Sequence, residues 1–337
     1  MNFNLRRVLA VVKIRNKEFY RDFGALGWVI VFPLLMIVVF GYVFNIDSGE
    51  NYKIGYWDKI SPMTIENIKW VKYQDKDEAL NKLKYQKIDL VFSELDGQKS
   101  VWRAKDSAKS KMALKLLQLS LSNTTLPFEI KNIKGKVYSY LDWVFPGIVN
   151  LNVMFMGLWG VGWVIVRQRK LGILKRFKAS PLTSFEYLLA QMTSRLIVTS
   201  VSGVLVYSLA HVIYPFNYDA RYFDLFIVFI IGAMSLSSLG LIFASRINSE
   251  ELCNGLLNFL TYPLMFISEI WFSLEGSPTW VKSIATYSPL WRMTNSMRKI
   301  LLEGESLSDR LEDIIFLLAF GLIFTLVGSF LFKWNKN

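Results

Sequence analysis

RQRKLGILKRFKASPLTSFEYLL, residues 167–189, places six cations, a short apolar stripe and a Ser-Pro break between two long apolar runs. If residues 170–178 are helical, Leu171, Ile173, Leu174 and Phe177 fall within an arc of about 160°, with Arg169, Lys175 and Arg176 on the other side. Ser180-Pro181 ends that helix, because proline carries no backbone donor and restricts the residue before it. Thr183 followed three residues later by Glu186 reads as a capping box that starts the next helix. The stretch therefore predicts a short, stiff lever between two long helices; the plainer alternative is a cationic orientation anchor with an incidental apolar arc.

The flanking runs decide the class. Of 337 residues, 53% are apolar and 20% charged, a balance that favours a polytopic membrane protein over a soluble enzyme. Uncharged runs near the roughly 20 residues needed to cross a bilayer lie at 23–44, 143–166, 196–218, 225–245, 252–274 and 314–332. Six spans are expected. The fifth is interrupted by Glu269, whose charge would cost roughly 2.5–3.5 kcal/mol in mid-bilayer, so that residue is expected near the headgroups. Arg195 is expected to snorkel to the cytoplasmic headgroups at the start of span three.

Orientation follows from cations. Arg6, Arg7, Lys13, Arg15, Lys17 and Arg21 precede the first span, and Arg167, Arg169, Lys170, Lys175, Arg176 and Lys178 follow the second. By the positive-inside rule both segments, and with them both termini, are expected in the cytoplasm. The first run exceeds a signal-peptide core and has no small-x-small cleavage site, so it reads as an uncleaved span. The net charge of +12 lies beside apolar spans and not in one stripe with stacking aromatics, so nucleic acid is not an expected partner. Cys253 and His211 are each the single residue of their type, which rules out a disulfide framework or a Cys/His metal cluster within one chain. His211 reads as an ordinary hydrogen-bonded or exposed histidine in preference to a proton relay.

Residues 1–22 are expected to form an amphipathic interfacial helix, with Leu5, Val8, Leu9 and Val12 on one face, and 23–45 the first transmembrane helix, kinked at Pro33. Residues 46–140 differ in composition. Tyr52, Ile54 and Tyr56 alternate as in a strand, DKDEALNKLKYQ gives a helix with Ala79, Leu80 and Leu83 inward, and Ile88, Leu90 and Phe92 alternate again. A further strand at VWRAKD and a helix at SAKSKMALKLLQLSLS complete an α+β module, placed outside the cytoplasm by the topology. Residues 141–337 hold the other helices, with the connection at 167–187 and, at 275–300, two short interfacial helices broken at Ser288-Pro289 with Trp280 and Trp291 at headgroup level. Gly232, Ser235, Ser237, Ser238 and Gly240 suit close helix packing.

The order of these segments resembles the permease subunit of ABC-2 type exporters, in particular the bacterial multidrug-efflux branch. FPLLMIVVFGYVFNID resembles its first span, FPGIVNLNVMFMGLWGVGWVIV its second, LGILKRFKASPLTSFEYLLAQ its coupling region, and YPLMFISEIWF with SPTWVKSIATYSPLWRMTNSMR its fifth span and outer re-entrant helices. The resemblance implies a mainly α membrane protein: a six-transmembrane-helix ABC-2 type bundle with the N-terminal interfacial helix and the α+β extracytoplasmic domain between spans one and two. It implies a bacterial cytoplasmic (inner) membrane location and a pore made by two permease subunits, a homodimer or a heterodimer, driven by two copies of an ABC ATPase subunit. ATP and Mg would sit on that partner and no cofactor on this chain, and residues 46–140 could dock a periplasmic or outer-membrane partner.

By position, Gly172, Leu174, Ser180 and Pro181 match the coupling region of that family, and with Leu171 and Phe177 they are the expected ATPase-coupling residues. Asn150, Asn152, Met154, Met156, Asn254, Asn258 and Tyr262 are the pore or subunit-interface candidates, with plain helix packing an equal alternative, and Glu269, Pro289 and Leu290 belong to the outer re-entrant region. The chain departs from the family pattern at Gln168 and Lys175, where glutamates are usual, and at Ser268-Glu269 and Ser273, where Ser-Gly and a proline are usual. No G-x-x-x-x-G-K-[ST] phosphate loop occurs, so an energy-coupled version of this chain borrows its ATPase and is itself no enzyme. The leading expectation is export of hydrophobic or amphiphilic, drug-like compounds. Export of a lipid or lipid-linked polymer by the same apparatus, or a membrane-anchored assembly or sensing protein without transport, are the alternatives.

Overall fold

A computed structural model describes residues 3–43, 52–57, 65, 67–95, 98–105, 107–121, 129–133, 138–214, 216, 218 and 221–334. The exit of the first span beyond residue 43, much of the connection at 215–220 and the last three residues lie outside this set. The chain divides into two compact units: Met1–Gly41 with Asp142–Trp271 and Ser283–Asn337, and Tyr42–Leu141 with Phe272–Lys282.

The first unit begins with α1 (Leu5–Arg21) and α2 (Phe23–Val43). Asn4 caps α1 by accepting from the Arg6 amide. The face expected to be apolar is rotated: Val8, Val11, Val12 and Arg15 are buried, whereas Leu5 and Leu9 are exposed. Valines at three- and four-residue spacing pack α1 onto protein, which a count of apolar residues on one arc could not distinguish from packing onto lipid.

The second unit is α+β. Its strands β1 (Tyr52–Tyr56) and β2 (Ile68–Lys72), helix α3 (Lys76–Lys84), strands β3 (Leu90–Leu95) and β4 (Gln98–Ala104), helix α4 (Ala108–Leu121) and strand β5 (Glu129–Ile133) build one sheet in the order β2-β1-β3-β4-β5. β1 runs parallel to β2 and β3, β3 antiparallel to β4, and β4 parallel to β5. One face, with Ile54, Leu90, Phe92 and Val101, packs on Leu114 and Leu117 of α4; the other, with Val71, Tyr73, Val91 and Trp102, packs on Ala79 and Leu83 of α3. Ile88 joins the α3 side and not the face of Leu90 and Phe92, because it precedes the strand and is not bound by its two-residue period. Near this core Glu275 is paired with Lys82 at 2.6 Å and Lys282 at 3.4 Å. Burial favours its neutral acid, but the two ammonium groups outweigh that and hold its carboxyl below the usual range.

The first unit resumes with α5 (Tyr140–Gly157), a π-helical segment Leu158–Trp163 and α6 (Val164–Lys170), continuous over 31 residues. Then come α7 (Ile173–Lys178), α8 (Ser184–Ile213), α9 (Tyr222–Arg246), α10 (Glu250–Ile267), α11 (Thr279–Thr286), whose first residues up to Lys282 belong to the second unit, α12 (Pro289–Arg298) and α13 (Leu311–Leu331). Five segments are long and apolar enough to cross a membrane: Phe23–Gly41, Tyr140–Lys170, Ser184–Ile213, Tyr222–Arg246 and Leu307–Leu331. The protein is therefore mainly helical with several membrane-spanning candidates. The run read as a span at 252–274 forms the shorter α10, which opens on Glu250 and Glu251 and ends at Ile267; it is not among the five.

The centre of this unit is α9, packed between α13 and the π-helical segment. Gly162 and Gly240 bring two helix backbones together: a Cβ at either would stand 3.0 Å from backbone atoms of the other's helix. Ser245 donates to the Leu241 and Gly328 carbonyls, and Ser235, Ser237 and Ser238 are buried. Small side chains allow this close approach, and in lipid it is contact area, not water exclusion, that holds helices together.

Candidate functional site

The lever is built around one break. The helix leaving the bundle stops at Leu171, Gly172 takes a left-handed conformation (φ +73°), and α7 starts afresh. A continuous helix over 170–178 does not form. Glycine enters this region without the Cβ penalty other residues meet, and nothing lies within 4 Å of where a Cβ would be, so the residue is required by the turn and not by crowding. At the far end the Ser180 hydroxyl donates to the Phe177 carbonyl. Thr183 then caps α8 by accepting from the Glu186 amide at 3.2 Å, while Glu186 accepts from the Thr183 amide at 2.8 Å.

The lever rests on a core drawn from several parts of the sequence. Leu174 is fully buried among Val8, Val12, Ile165, Leu182 and Tyr187, with Phe177 packed against the same cluster. The Phe177 ring lies 5.5 Å from Tyr187, whose ring is in turn 5.8 and 5.3 Å from those of Phe332 and Trp334 in tilted contacts. Arg169, expected to face away from the apolar arc, is buried: its guanidinium donates to the carbonyls of Ile247 and Lys333 at 2.5 and 3.0 Å and lies over the Phe332 ring. It thereby ties the lever's root to the end of α9 and to the C-terminal segment.

α1 clasps the same elbow. The Asn4 amide donates to Glu186 at 2.7 Å, Arg7 donates to the Pro181 carbonyl at 2.6 Å, Arg15 donates to Gln191, and Ser194 donates to Asn16. Gln168, one of the departures noted above, accepts from the Tyr187 hydroxyl at 2.5 Å and from Gln191 at 3.3 Å.

The expected coupling residues thus separate. Leu174 and Phe177 face inward, Gly172 makes the turn, and Leu171 (61% exposed), Ser180 and Pro181 face outward beside exposed Lys175, Arg176 and Lys178.

The pore or interface candidates separate too. Asn150 and Met154 are wholly buried, Asn150 donating to Thr294 at 3.2 Å. Asn152, donating to the Val29 carbonyl at 2.7 Å, and Met156 line a cleft. On α10, Asn254 accepts from the Trp159 indole at 3.0 Å, Asn258 is half-buried and Tyr262 is exposed. Tyr262 belongs to an outward stripe with Leu252, Phe259 and Phe266.

The outer candidates lie on a turn and a cap. Glu269 is left-handed (φ +54°), directly after α10, and its carboxylate is 3.8 Å from Arg298, which also donates to its carbonyl at 2.8 Å. Pro289 takes the first position of α12, where a missing donor costs nothing, and Leu290 is fully buried. Ser288 accepts from the Trp291 amide as N-cap.

The cleft, of about 580 Å³, opens between α1, α2, α5, the π-helical segment, α6 and α8. It contains Arg195, expected at the headgroups but only 8% exposed; this guanidinium donates to the Gly160 carbonyl at 3.0 Å and lies over the Phe19 ring. Gly160 is what admits it: a Cβ there would fall 2.0 Å from the guanidinium carbon. Reasoning from the sequence missed this pairing, since a π-helical turn, which widens the helix, leaves no mark in apolar spacing. The glycines of GLWGVGW were the available signal.

Two kinds of comparison bear on this arrangement. The family model described as ABC-2 family transporter protein matches residues 24–330. The "Probable multidrug ABC transporter permease YbhR" of Escherichia coli strain K12 is 22% identical over 144 residues, which is 42% of this chain and 39% of the relative, and the protein of the same description in Escherichia coli O157:H7 matches equally. The match thus spans about two fifths of those curated relatives.

Proposed function

The chain belongs to the ABC-2 family of transporter proteins, and from that premise we propose that it is the membrane-spanning, non-catalytic permease subunit of an ATP-driven exporter. Its cargo in this reading is hydrophobic or amphiphilic, drug-like compounds taken from the cytoplasm or the inner leaflet. The observation that carries the proposal is the elbow: a short helix whose inner face is locked into α1, α8 and the C-terminal segment, and whose outer face offers Leu171, Pro181 and three cations to a partner. A contact pushing on that outer face moves the ends of two long helices, Tyr140–Lys170 and Ser184–Ile213, together. ATPase closure, transmitted this way, biases one arrangement of the bundle over another.

The topology proposed with it has six crossings, α10 being the sixth in number and fifth in order. Both termini and the elbow are cytoplasmic, and residues 46–140 are extracytoplasmic. The α10 stripe of Leu252, Phe259, Tyr262 and Phe266 then faces the second permease subunit or lipid. Two copies of an ABC ATPase complete the assembly in the bacterial inner membrane, and the α+β unit is free to meet a periplasmic or outer-membrane partner. The test is co-purification of the full chain with an ABC ATPase subunit, repeated with Leu171→Asp and Pro181→Asp. Loss of association in the variants supports the reading, and ATPase recovery equal to wild type sinks it. Labelling a cysteine introduced at position 171 from the outside only would reverse the topology.

A further inference from the structure

Arg195 sits about 18 Å along α8 from its cap at Thr183, taking 1.5 Å per residue. A guanidinium carries five donors, and the contacts of this one are the Gly160 carbonyl through Nη2 and the face of Phe19. Its Nε is buried without a hydrogen-bond partner among the described residues. None of the ion pairs among those residues includes it. Leaving a buried N–H of a cation unanswered is among the costlier states a folded chain keeps.

The other charges of the cleft do not answer it. Arg15 is paired with Glu18 and donates to Gln191. Asp22 accepts from the Ala25 amide at the start of α2. Arg167, exposed, lies 5.0 Å from the Trp163 ring centroid. With Arg15, Arg167 and Arg195 set against Glu18 and Asp22, the cleft carries a surplus of one positive charge. Away from that charge the wall is aromatic and aliphatic, with Trp28, Val29, Phe155, Met156 and Trp159. Trp28 is largely exposed, so the wall continues onto the surface that the topology above turns toward the inner leaflet.

We infer that this cleft binds an amphiphile with an oxyanion headgroup, phosphate or carboxylate, seated on Arg195 with its apolar part along Trp28, Phe155 and Trp159. Gly160 takes one of the five guanidinium donors, and a donor left over on the cleft side supplies a charge-assisted hydrogen bond that only an acceptor can complete. The volume accommodates a headgroup and the first part of a chain, leaving the remainder in lipid. This rests on the exporter reading for its direction and its leaflet, and it narrows the cargo or regulatory ligand to anionic amphiphiles. Two sources share the chemistry: an anionic bilayer phospholipid and a single-chain anionic compound.

The test uses the full-length chain in uncharged detergent and native mass spectrometry of bound amphiphile. Dodecyl phosphate should bind in preference to dodecyltrimethylammonium. Arg195→Gln should weaken the phosphate complex by about tenfold or more, as expected for a lost hydrogen bond to a charged group, with Arg195→Lys intermediate. Because Arg195→Gln could disturb folding, Trp28→Ala, which alters the exposed wall alone, should weaken it several-fold. Phosphatidylglycerol that displaces dodecyl phosphate identifies bilayer lipid as the source; failure to displace it identifies a single-chain compound. Equal binding of the cationic probe, or unchanged affinity in both Arg195→Gln and Trp28→Ala, overturns the inference. No ATPase is present in this measurement, so its failure leaves the exporter reading standing, and that reading falls only on the association experiment.

Discussion

Leu171 and Leu174 are the same residue type three positions apart, and the structure assigns them opposite duties. Leu174 is completely buried in the core shared by α1, α6, α7 and α8, whereas Leu171 is 61% exposed. Truncating a fully buried leucine to alanine removes its transfer energy and leaves a cavity, a loss of about 2–5 kcal/mol. For Leu171 about two fifths of the side chain is covered, so its truncation costs at most on the order of 1 kcal/mol, from roughly 1.5–3 kcal/mol for a full burial. Thermal inactivation of the purified full chain, followed by loss of monodisperse protein after heating, reads the first quantity. Co-purification of the ATPase reads the second. Leu174→Ala is expected to lower the inactivation midpoint by several degrees, and Leu171→Ala to leave it near wild type while reducing ATPase recovery. A Leu174→Ala protein as heat-resistant as wild type, or a Leu171→Ala protein the less stable of the two, would refute the division into an inward seat and an outward face.

Three further outcomes follow from particular contacts. Gly172→Ala places a Cβ in empty space but in the left-handed region, so it should destabilise by about 1–2 kcal/mol through backbone strain alone, with Gly172→Asn milder; equal melting of the two would argue against a left-handed turn. Arg169→Gln, which removes donors to Ile247 and Lys333, should cost about 2 kcal/mol or more, whereas Arg167→Gln at an exposed site should change the melting temperature little; indistinguishable melting curves would contradict the buried placement. Glu275 is held below the ordinary carboxylate range in the folded chain, so the stability it contributes is complete above its unfolded value of about 4.3 and is lost as pH falls through the lower folded value. Acid unfolding of the α+β unit should therefore be less steep in Glu275→Gln, and an unchanged acid limb would remove the role given to its two lysine partners.

What could be read from the chain alone was whatever depends on neighbours in sequence. The Thr183–Glu186 cap, the proline start of α12, the strand at Tyr52–Tyr56 and the long apolar helices are local facts, set by spacing, capping chemistry and length. Apolar periodicity also told which residues of the lever are apolar, but not whether Leu174 or Leu171 would be covered, because that depends on Val8, Tyr187 and Phe332, up to some 170 residues away. The same limit explains Arg169 and Arg195. A cation in a list looks like a surface group, since burial of an unpaired charge is costly; only the folded chain shows that backbone carbonyls of Ile247, Lys333 and Gly160 receive them. Short-range rules govern which elements form. Which side of an element is buried, and which buried charge is left partly unanswered, is settled by long-range packing that no local pattern encodes.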